Sequence, residues 1–152
     1  MGRVHASGIF ILRKDGKILI CHPTHHPIDV FSIPKGKVEM GESMLDGAIR
    51  ETFEETNIQL KGTDDFYIHE LSSVGYKSGK KTLHPFVFRE KMISTFDWDN
   101  IEIKCNSNVE PERGGFPEMD GYQWVSLEEA KPLVHETQAK AILQMQKELG
   151  VQ

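Results

Sequence analysis

The sequence predicts a single α/β domain, and three observations carry that reading. The chain has 152 residues, the size of one domain. Strand-length apolar runs flank turn-forming residues at both 7–21 and 65–90. Two stretches, 43–57 and the segment ending near Leu149, carry apolar residues at the helical 3.6 period. A domain of this size buries on the order of 70% of its unfolded surface and needs no staple.

The elements follow in order. Residues 7–13 are an apolar strand, Lys14-Asp15-Gly16-Lys17 a turn, and Ile18–Cys21 the returning strand, so 4–22 reads as a β-hairpin. Residues 22–30, rich in His and Pro, form a loop. Phe31-Ser32-Ile33 is read as a short strand stopped by Pro34. Across 43–57, Leu45, Ile49, Thr52, Phe53 and Thr56 fall on one helical side, with Ser43 as N-cap and Asn57 as the left-handed stop. Residues 65–75 and 82–90 are β-like around the turn Lys77–Lys80, and 97–121 is a long irregular loop. Tyr122–Val125 is a strand with Trp124 in the core. Ser126-Leu127-Glu128-Glu129 is a capping box whose short helix Pro132 ends. Ala141, Ile142, Met145 and Leu149 form the core stripe of the last helix.

Composition narrows the function classes. Hydrophobic residues make up 38% and charged residues 27%, which excludes a disordered or fibrous chain. The net charge of −5 denies the chain the broad positive field of a sequence-independent nucleic-acid binder, so DNA is not an expected partner. Cys21 and Cys105 are too few for a disulfide framework, and a reducing cytoplasm is the default. The N-terminus shows no signal-peptide cleavage site, and no run reaches the ~18–20 apolar residues of a membrane span.

The chemistry concentrates in 36–58. With Glu51 at zero and about 100° per residue, Glu54 falls near 300° and Glu55 near 40°, so three carboxylates share one arc. The apolar stripe of Leu45 and Phe53, near 120–200°, is expected on the other, buried side. Two carboxylates ~4 Å apart repel by about 4 kcal/mol at an effective dielectric near 20, and the helix must offset that. Arg50 offsets part. The rest suits a hard divalent cation with oxygen ligands, Mg²⁺ or Mn²⁺. Gly47, between Glu51 and Glu54 one turn earlier, leaves room for a metal-bound ligand. Lys35 and Lys37, in the glycine-containing loop that leads into the helix, suit substrate phosphate.

Gly36, Glu42, Arg50, Glu51, Glu54, Glu55 and Ile58 stand in the register of one signature, and here the chain resembles the Nudix hydrolase family. Two positions depart from its pattern: Thr52 replaces an aliphatic residue and Asn57 replaces glycine. The resemblance implies an α/β/α sandwich around a mixed β-sheet. It implies a metal-dependent hydrolase that cleaves a pyrophosphate linkage in a nucleoside diphosphate linked to another moiety. Glu54 and Glu55 would be metal ligands, the Gly36 carbonyl a further one, and Glu51 a ligand or base; Arg50 would orient a glutamate. The family often adds a carboxylate from outside the box. Glu118, just before the Trp124 strand, is the candidate ahead of Glu110, Glu112 and Asp120.

The Pro34-Lys35-Gly36 lead-in resembles members acting on dinucleoside polyphosphates or on 5′-triphosphate RNA ends. ADP-ribose, FAD and damaged nucleoside triphosphates stay open. The expected partners are a small nucleotide and, alternatively, an RNA 5′ end, with no membrane, the chain being a monomer or homodimer. The rival class is a non-catalytic nucleotide-sensing module, which would be expected to lose box glutamates; all four are present. Around the box, His84 is a candidate contact to base or phosphate. Tyr67, Tyr76 and Phe86 are more readily core than base-stacking. His22, His25 and His26 form a loop near the substrate mouth or in solvent, and Lys77, Lys80 and Lys81 a basic, solvated hairpin tip.

Overall fold

Seven consecutive buried residues, Ala6–Leu12, make β1 (Val4–Leu12) a strand covered on both faces, and the sheet is built outward from it. In the computed structural model, which describes residues 2–152, β1 pairs antiparallel with β2 (Lys17–Pro23) and with β3 (Lys35–Lys37). Helix α1 (Met44–Thr56), β4 (Phe66–Glu70) and β5 (Val74–Gly75) follow. Then β6 (Lys81–Glu90) returns parallel to β1, in register from Val4↔Lys81 to Leu12↔Arg89. After a long loop come β7 (Met119–Ser126), α2 (Leu127–Ala130) and α3 (Glu136–Leu149). The strand order is β4-β6-β1-β2-β7, with β3 against β1 and β5 against β6, so the sheet is mixed.

Alternation along β1 divides the core. Phe10 and Leu12 point to one layer with Ile18, Ile20, Val87 and the α2/α3 residues Leu127, Ala130, Ala141, Ile142 and Met145. Ile9 and Ile11 point to the other with Leu19, Phe86, Phe88 and α1's Ala48. Helices cover both faces, which is the expected sandwich. No helix among the described residues is long and apolar enough to cross a membrane.

Several expectations hold at the level of single caps. Ser43 accepts from the Asp46 amide at 3.0 Å, and Asn57 ends α1 in the left-handed region at φ 68°. The Ser126–Glu129 capping box forms in both directions. Ala141, Ile142 and Met145 are fully buried. Trp124 is only partly buried; it packs edge-on to Trp98 at 5.0 Å, with the Arg13 guanidinium 4.4 Å above it.

Three local expectations are corrected. Phe31–Ile33 is no strand: Ser32 makes one bridge to Cys21, and the Ile33 amide donates to Gln138 Oε1 at 3.0 Å. The strand forms four residues later, as β3, because the Pro34 carbonyl accepts from Ile9 and brings the chain alongside β1. β7 starts at Met119, inside the stretch read as loop. The largest correction is the orientation of α1. Its buried residues are Gly47, Ala48, Thr52, Glu55 and Thr56, while Phe53 is 37% exposed. The buried face is turned by about a quarter of the circle from the Leu45/Phe53 stripe. The cause is close approach. A Cβ on Gly47 would lie 3.0 Å from Glu42 Oε1, 3.1 Å from Ser7 Oγ and 3.2 Å from Val38 Cγ2. The helix seats its small residues on the sheet and leaves large ones at the rim. Gly47 therefore serves packing and holds no open space for a ligand.

Candidate active site

The turn of α1 carries the carboxylates into β3. Glu55 is 3% exposed and lies within the buried face. The backbone amide of Lys35 donates to its Oε1 at 3.2 Å. The Tyr122 hydroxyl donates to the Glu55 backbone carbonyl at 2.5 Å, fixing that turn without touching the carboxylate. Glu51 lies against Gly36: a Cβ there would come 2.1 Å from Glu51 Cδ and 2.3–2.4 Å from its two oxygens. Glycine at 36 is a steric requirement of this carboxylate.

Arg50 organises the rim. Its Nε donates to Glu42 Oε2 at 2.8 Å; Nη1 donates to Glu51 Oε1 at 3.0 Å and to Glu54 Oε2 at 2.5 Å; Nη2 reaches the Lys37 carbonyl at 3.0 Å. The guanidinium holds Glu42 below the ordinary carboxylate range, and its own proton is bound more tightly by Glu42 first and then the other two. It does not neutralise the set. Burial first, then the Glu54 charge, push Glu51 up to about 7 against the pull of Arg50. Burial, then Glu51, push Glu55 well above the ordinary value. The substitution of Thr52 for an aliphatic residue is absorbed, because its hydroxyl donates to the Ala48 carbonyl at 2.8 Å.

Glu118 joins them. Burial raises its pKa, and the next cause is Glu54. Glu118 lines an open cleft of about 650 Å³ together with Lys35, Gly36 and Glu55. Thus Gly36, Glu51, Glu54, Glu55, Lys35 and Glu118 are brought to one place, with Arg50 behind. Two expected substrate contacts are not. Lys37 is exposed where β3 runs on past the cleft lining, and His84 is hydrogen-bonded to His5 at 2.9 Å, also away from that lining. Glu110 lies at the mouth; Glu112 does not.

The loop contributes Asn108, Arg113 and Phe116 to the lining, and none was singled out from sequence. Irregular backbone has no period to read; the only hint was Gly114-Gly115, whose positive φ angles turn Phe116 inward against His25 at 4.5 Å. His26 lines the cleft. His22 instead bonds Asp120 Oδ1 at 2.6 Å and the Pro27 carbonyl at 3.0 Å; the Asp120 bond first, and then that to Pro27, raise its pKa. Phe86 is core and Tyr67 is largely exposed. Tyr76 packs on His135 at 4.9 Å with Lys81 Nζ 4.8 Å from its ring centre. Lys81, expected in a solvated tip, is part-buried: burial and then the nearby Lys35 lower its pKa. Lys77 pairs with Glu136 at 3.2 Å.

A divalent cation fits the chemistry of this donor set. It is all oxygen and multiply acidic, and burial first, then repulsion between neighbouring carboxylates, holds Glu51, Glu55 and Glu118 above their ordinary range. The carboxylates are not a closed cage, since among the described residues no three acidic, His or Cys side chains converge on one point.

Residues 2–145 match the NUDIX domain. The chain belongs to the NUDIX family. Among curated relatives, the bis(5′-nucleosyl)-tetraphosphatase [asymmetrical] of Mus musculus is 35% identical over 117 residues, covering 73% of this chain and 65% of that one. An RNA pyrophosphohydrolase of Sodalis glossinidius (strain morsitans) is 27% identical over 129 residues, covering 79% and 67%. Among solved structures, a C. elegans Ap4A hydrolase binary complex superposes with a TM-score of 0.68 at 21% identity, over 95% of this chain and 98% of that one. At that identity the superposition speaks for the fold, a NUDIX α/β sandwich.

Proposed function

We propose that this NUDIX chain hydrolyses a dinucleoside polyphosphate, using Mg²⁺ or Mn²⁺. The reaction class is hydrolysis of a pyrophosphate linkage. The observation that carries the substrate reading is the composition of the cleft. Carboxylates Glu55 and Glu118 and the cations Lys35 and Arg113 line the same space, with Lys81 close to Lys35. A chain of several phosphates would meet the cations directly and the carboxylates through a bound divalent metal. The 35% identity to a relative named a tetraphosphatase points the same way.

Glu51, Glu54 and Glu55, with the Gly36 carbonyl, would hold the metal. When bound, it neutralises phosphate oxygens and polarises the phosphorus. The chain's own groups supply the rest. Arg50 orients Glu51 and Glu54 through its shared Nη1. Glu118, or Glu51 if free, takes a proton from the attacking water as its oxygen bonds to phosphorus and the bridging P–O bond breaks. Lys35 holds the phosphate chain at the cleft wall.

A second reading, removal of pyrophosphate from an RNA 5′ end, is favoured by several relatives of that name at 25–28% identity. One experiment separates them: a panel of dinucleoside tetraphosphate, triphosphate RNA, ADP-ribose, FAD and deoxynucleoside triphosphates, with products identified. The expected result is fastest turnover of the dinucleoside tetraphosphate into two nucleotides, lost in EDTA and restored by Mg²⁺ or Mn²⁺. Faster release of pyrophosphate from RNA would replace this reading with the second, and no metal-dependent turnover of any member would leave a non-catalytic module. The cytoplasm is the compartment we propose, from the free cysteines Cys21 and Cys105.

A further inference from the structure

Asn57 stands where the box pattern has glycine, in a conformation that glycine adopts without strain: φ is 68°. The backbone alone gives no reason for a side chain here. The amide does. Asn57 Nδ2 donates to the Glu102 carbonyl at 3.0 Å, and Oδ1 accepts from Asn106 Nδ2 at 2.9 Å. Asn106 Nδ2 also reaches the Phe53 carbonyl at 3.1 Å. Two backbone bonds run alongside, from the Asn106 amide to the Glu54 carbonyl at 2.6 Å and from the Lys104 amide to the Thr56 carbonyl at 3.2 Å. The last carbonyls of a helix have no partner within it, and here the long loop supplies them.

The same segment leads to the cleft. The Ser107 carbonyl accepts from the Glu118 amide at 3.0 Å, and Asn108 bridges to Pro117. Glu118 is thus one residue and one hydrogen bond away from Asn106. Between β6 and β7 the chain has only two short 3₁₀ turns, so this stretch takes its place from such tethers.

We infer that Asn57 is a positioning residue: its side-chain amide fastens 102–107 to the C-terminal end of the box helix and so sets where Glu118 stands relative to Glu54. Both halves of the amide are used, the donor on Glu102 and the acceptor on Asn106, which no hydrogen at that position could replace. The inference rests on the reading of Glu118 as base or ligand.

The test compares Asn57→Gly, Asn106→Ala, Glu118→Gln and the Asn57→Gly/Glu118→Gln pair, with a dinucleoside tetraphosphate and saturating Mg²⁺. Asn57→Gly keeps the left-handed cap, so Tm should stay within about 2–3 °C of wild type. Its kcat should fall about tenfold with KM unchanged, and Asn106→Ala should do the same. Amide hydrogen exchange across 102–107 should accelerate. In the Glu118→Gln background, Asn57→Gly should cost nothing further. If Asn57→Gly keeps wild-type kcat while Glu118→Gln loses activity, the tether is overturned and the reading of Glu118 stands. An equal loss in both backgrounds also overturns it, since Asn57 would then act elsewhere. If Glu118→Gln itself keeps wild-type kcat, the reading of Glu118 fails and takes the inference with it.

Discussion

Gly36→Ala is the sharpest perturbation that the geometry offers. The added carbon would lie 2.1 Å from Glu51 Cδ, about 1.4 Å inside an ordinary carbon–carbon contact of ~3.5 Å. Both carboxylate oxygens, at 2.3 and 2.4 Å, are also too close to stay. The clash is with the end of a side chain and not with backbone, so Glu51 can swing away while β3 keeps its pairs to Ala6, Ser7 and Gly8. Gly36 has no positive φ, and alanine adopts its backbone freely. Leaving its place costs Glu51 the 3.0 Å ion pair with Arg50, but releases a carboxylate that burial and Glu54 already push up to about 7. These effects oppose each other, so stability should change by no more than about 1 kcal/mol. Activity should not survive as well: a 1 Å displacement of a group that acts on the reaction costs on the order of 10² in kcat.

The assay is kcat on a dinucleoside tetraphosphate at saturating Mg²⁺, with Tm measured in parallel. Gly8→Ala is the contrasting variant, because its new carbon would meet the Pro34 carbonyl oxygen at 3.0 Å and Lys35 Cβ at 2.8 Å. That wall is a backbone oxygen and a Cβ that moves only with its backbone, so Gly8→Ala should lose stability first. A Gly36→Ala protein with wild-type kcat would refute the placement of Glu51 against Gly36 in the working site. So would an additive loss when Gly36→Ala is combined with Glu51→Gln, because both changes should act on one carboxylate.

Other outcomes follow from the same geometry. Glu51 keeps a proton to about pH 7 when folded and to about 4.5 when unfolded, so the metal-free fold should lose stability as pH rises between those values and level off above; Glu51→Gln should flatten that slope and raise Tm at pH 8, read by thermal melts. Phe53→Ala, at a 37% exposed site, should cost no more than about 1–2 kcal/mol in urea unfolding, whereas Phe88→Ala, which is buried, should cost about 3–5 kcal/mol. Glu118→Gln should lower kcat on the order of 10² at unchanged Tm, while Glu112→Gln, outside the cleft lining, should match wild type.

What could be read from the chain and what could not divides along physical lines. Caps and turns are local: Ser43, Asn57, the Ser126–Glu129 box and the first hairpin depend on neighbours within a few residues, and all form. The carboxylate set of the box is legible because Glu51, Glu54 and Glu55 lie with Arg50 on one helix, where spacing fixes direction. The rotation of that helix is not local. Hydrophobicity places Phe53 inside, but the sheet approaches where Gly47 and Ala48 let it, and that depends on Ser7 of β1 and Val38 just after β3. Lys35 and Lys37 looked equivalent as charges; only the path of β3 along β1 separates them. Arg113 and Phe116 were invisible because a loop has no period, and their aim is set by two consecutive glycines at positive φ.

The overlap of the buried face with the carboxylate face is the physical centre of this site. A helix that simply separated apolar from acidic residues would leave its glutamates solvated near their ordinary pKa. This one buries Glu55, where among the described residues the charged form receives one backbone amide and no side-chain cation within ion-pair distance. Arg50 cannot help, because its donors are committed to Glu42, Glu51, Glu54 and the Lys37 carbonyl. The deepest carboxylate is therefore the least compensated, and Glu51, Glu55 and Glu118 are raised first by burial and then by repulsion from a neighbouring glutamate, Glu54 for Glu51 and Glu118, and Glu51 for Glu55. A doubly charged cation relieves that repulsion in proportion to how little the protein has already relieved it. The arrangement that weakens the empty fold is thus the one that strengthens metal binding, and a second arginine beside Glu55 would stabilise the chain while removing the reason for the metal to bind.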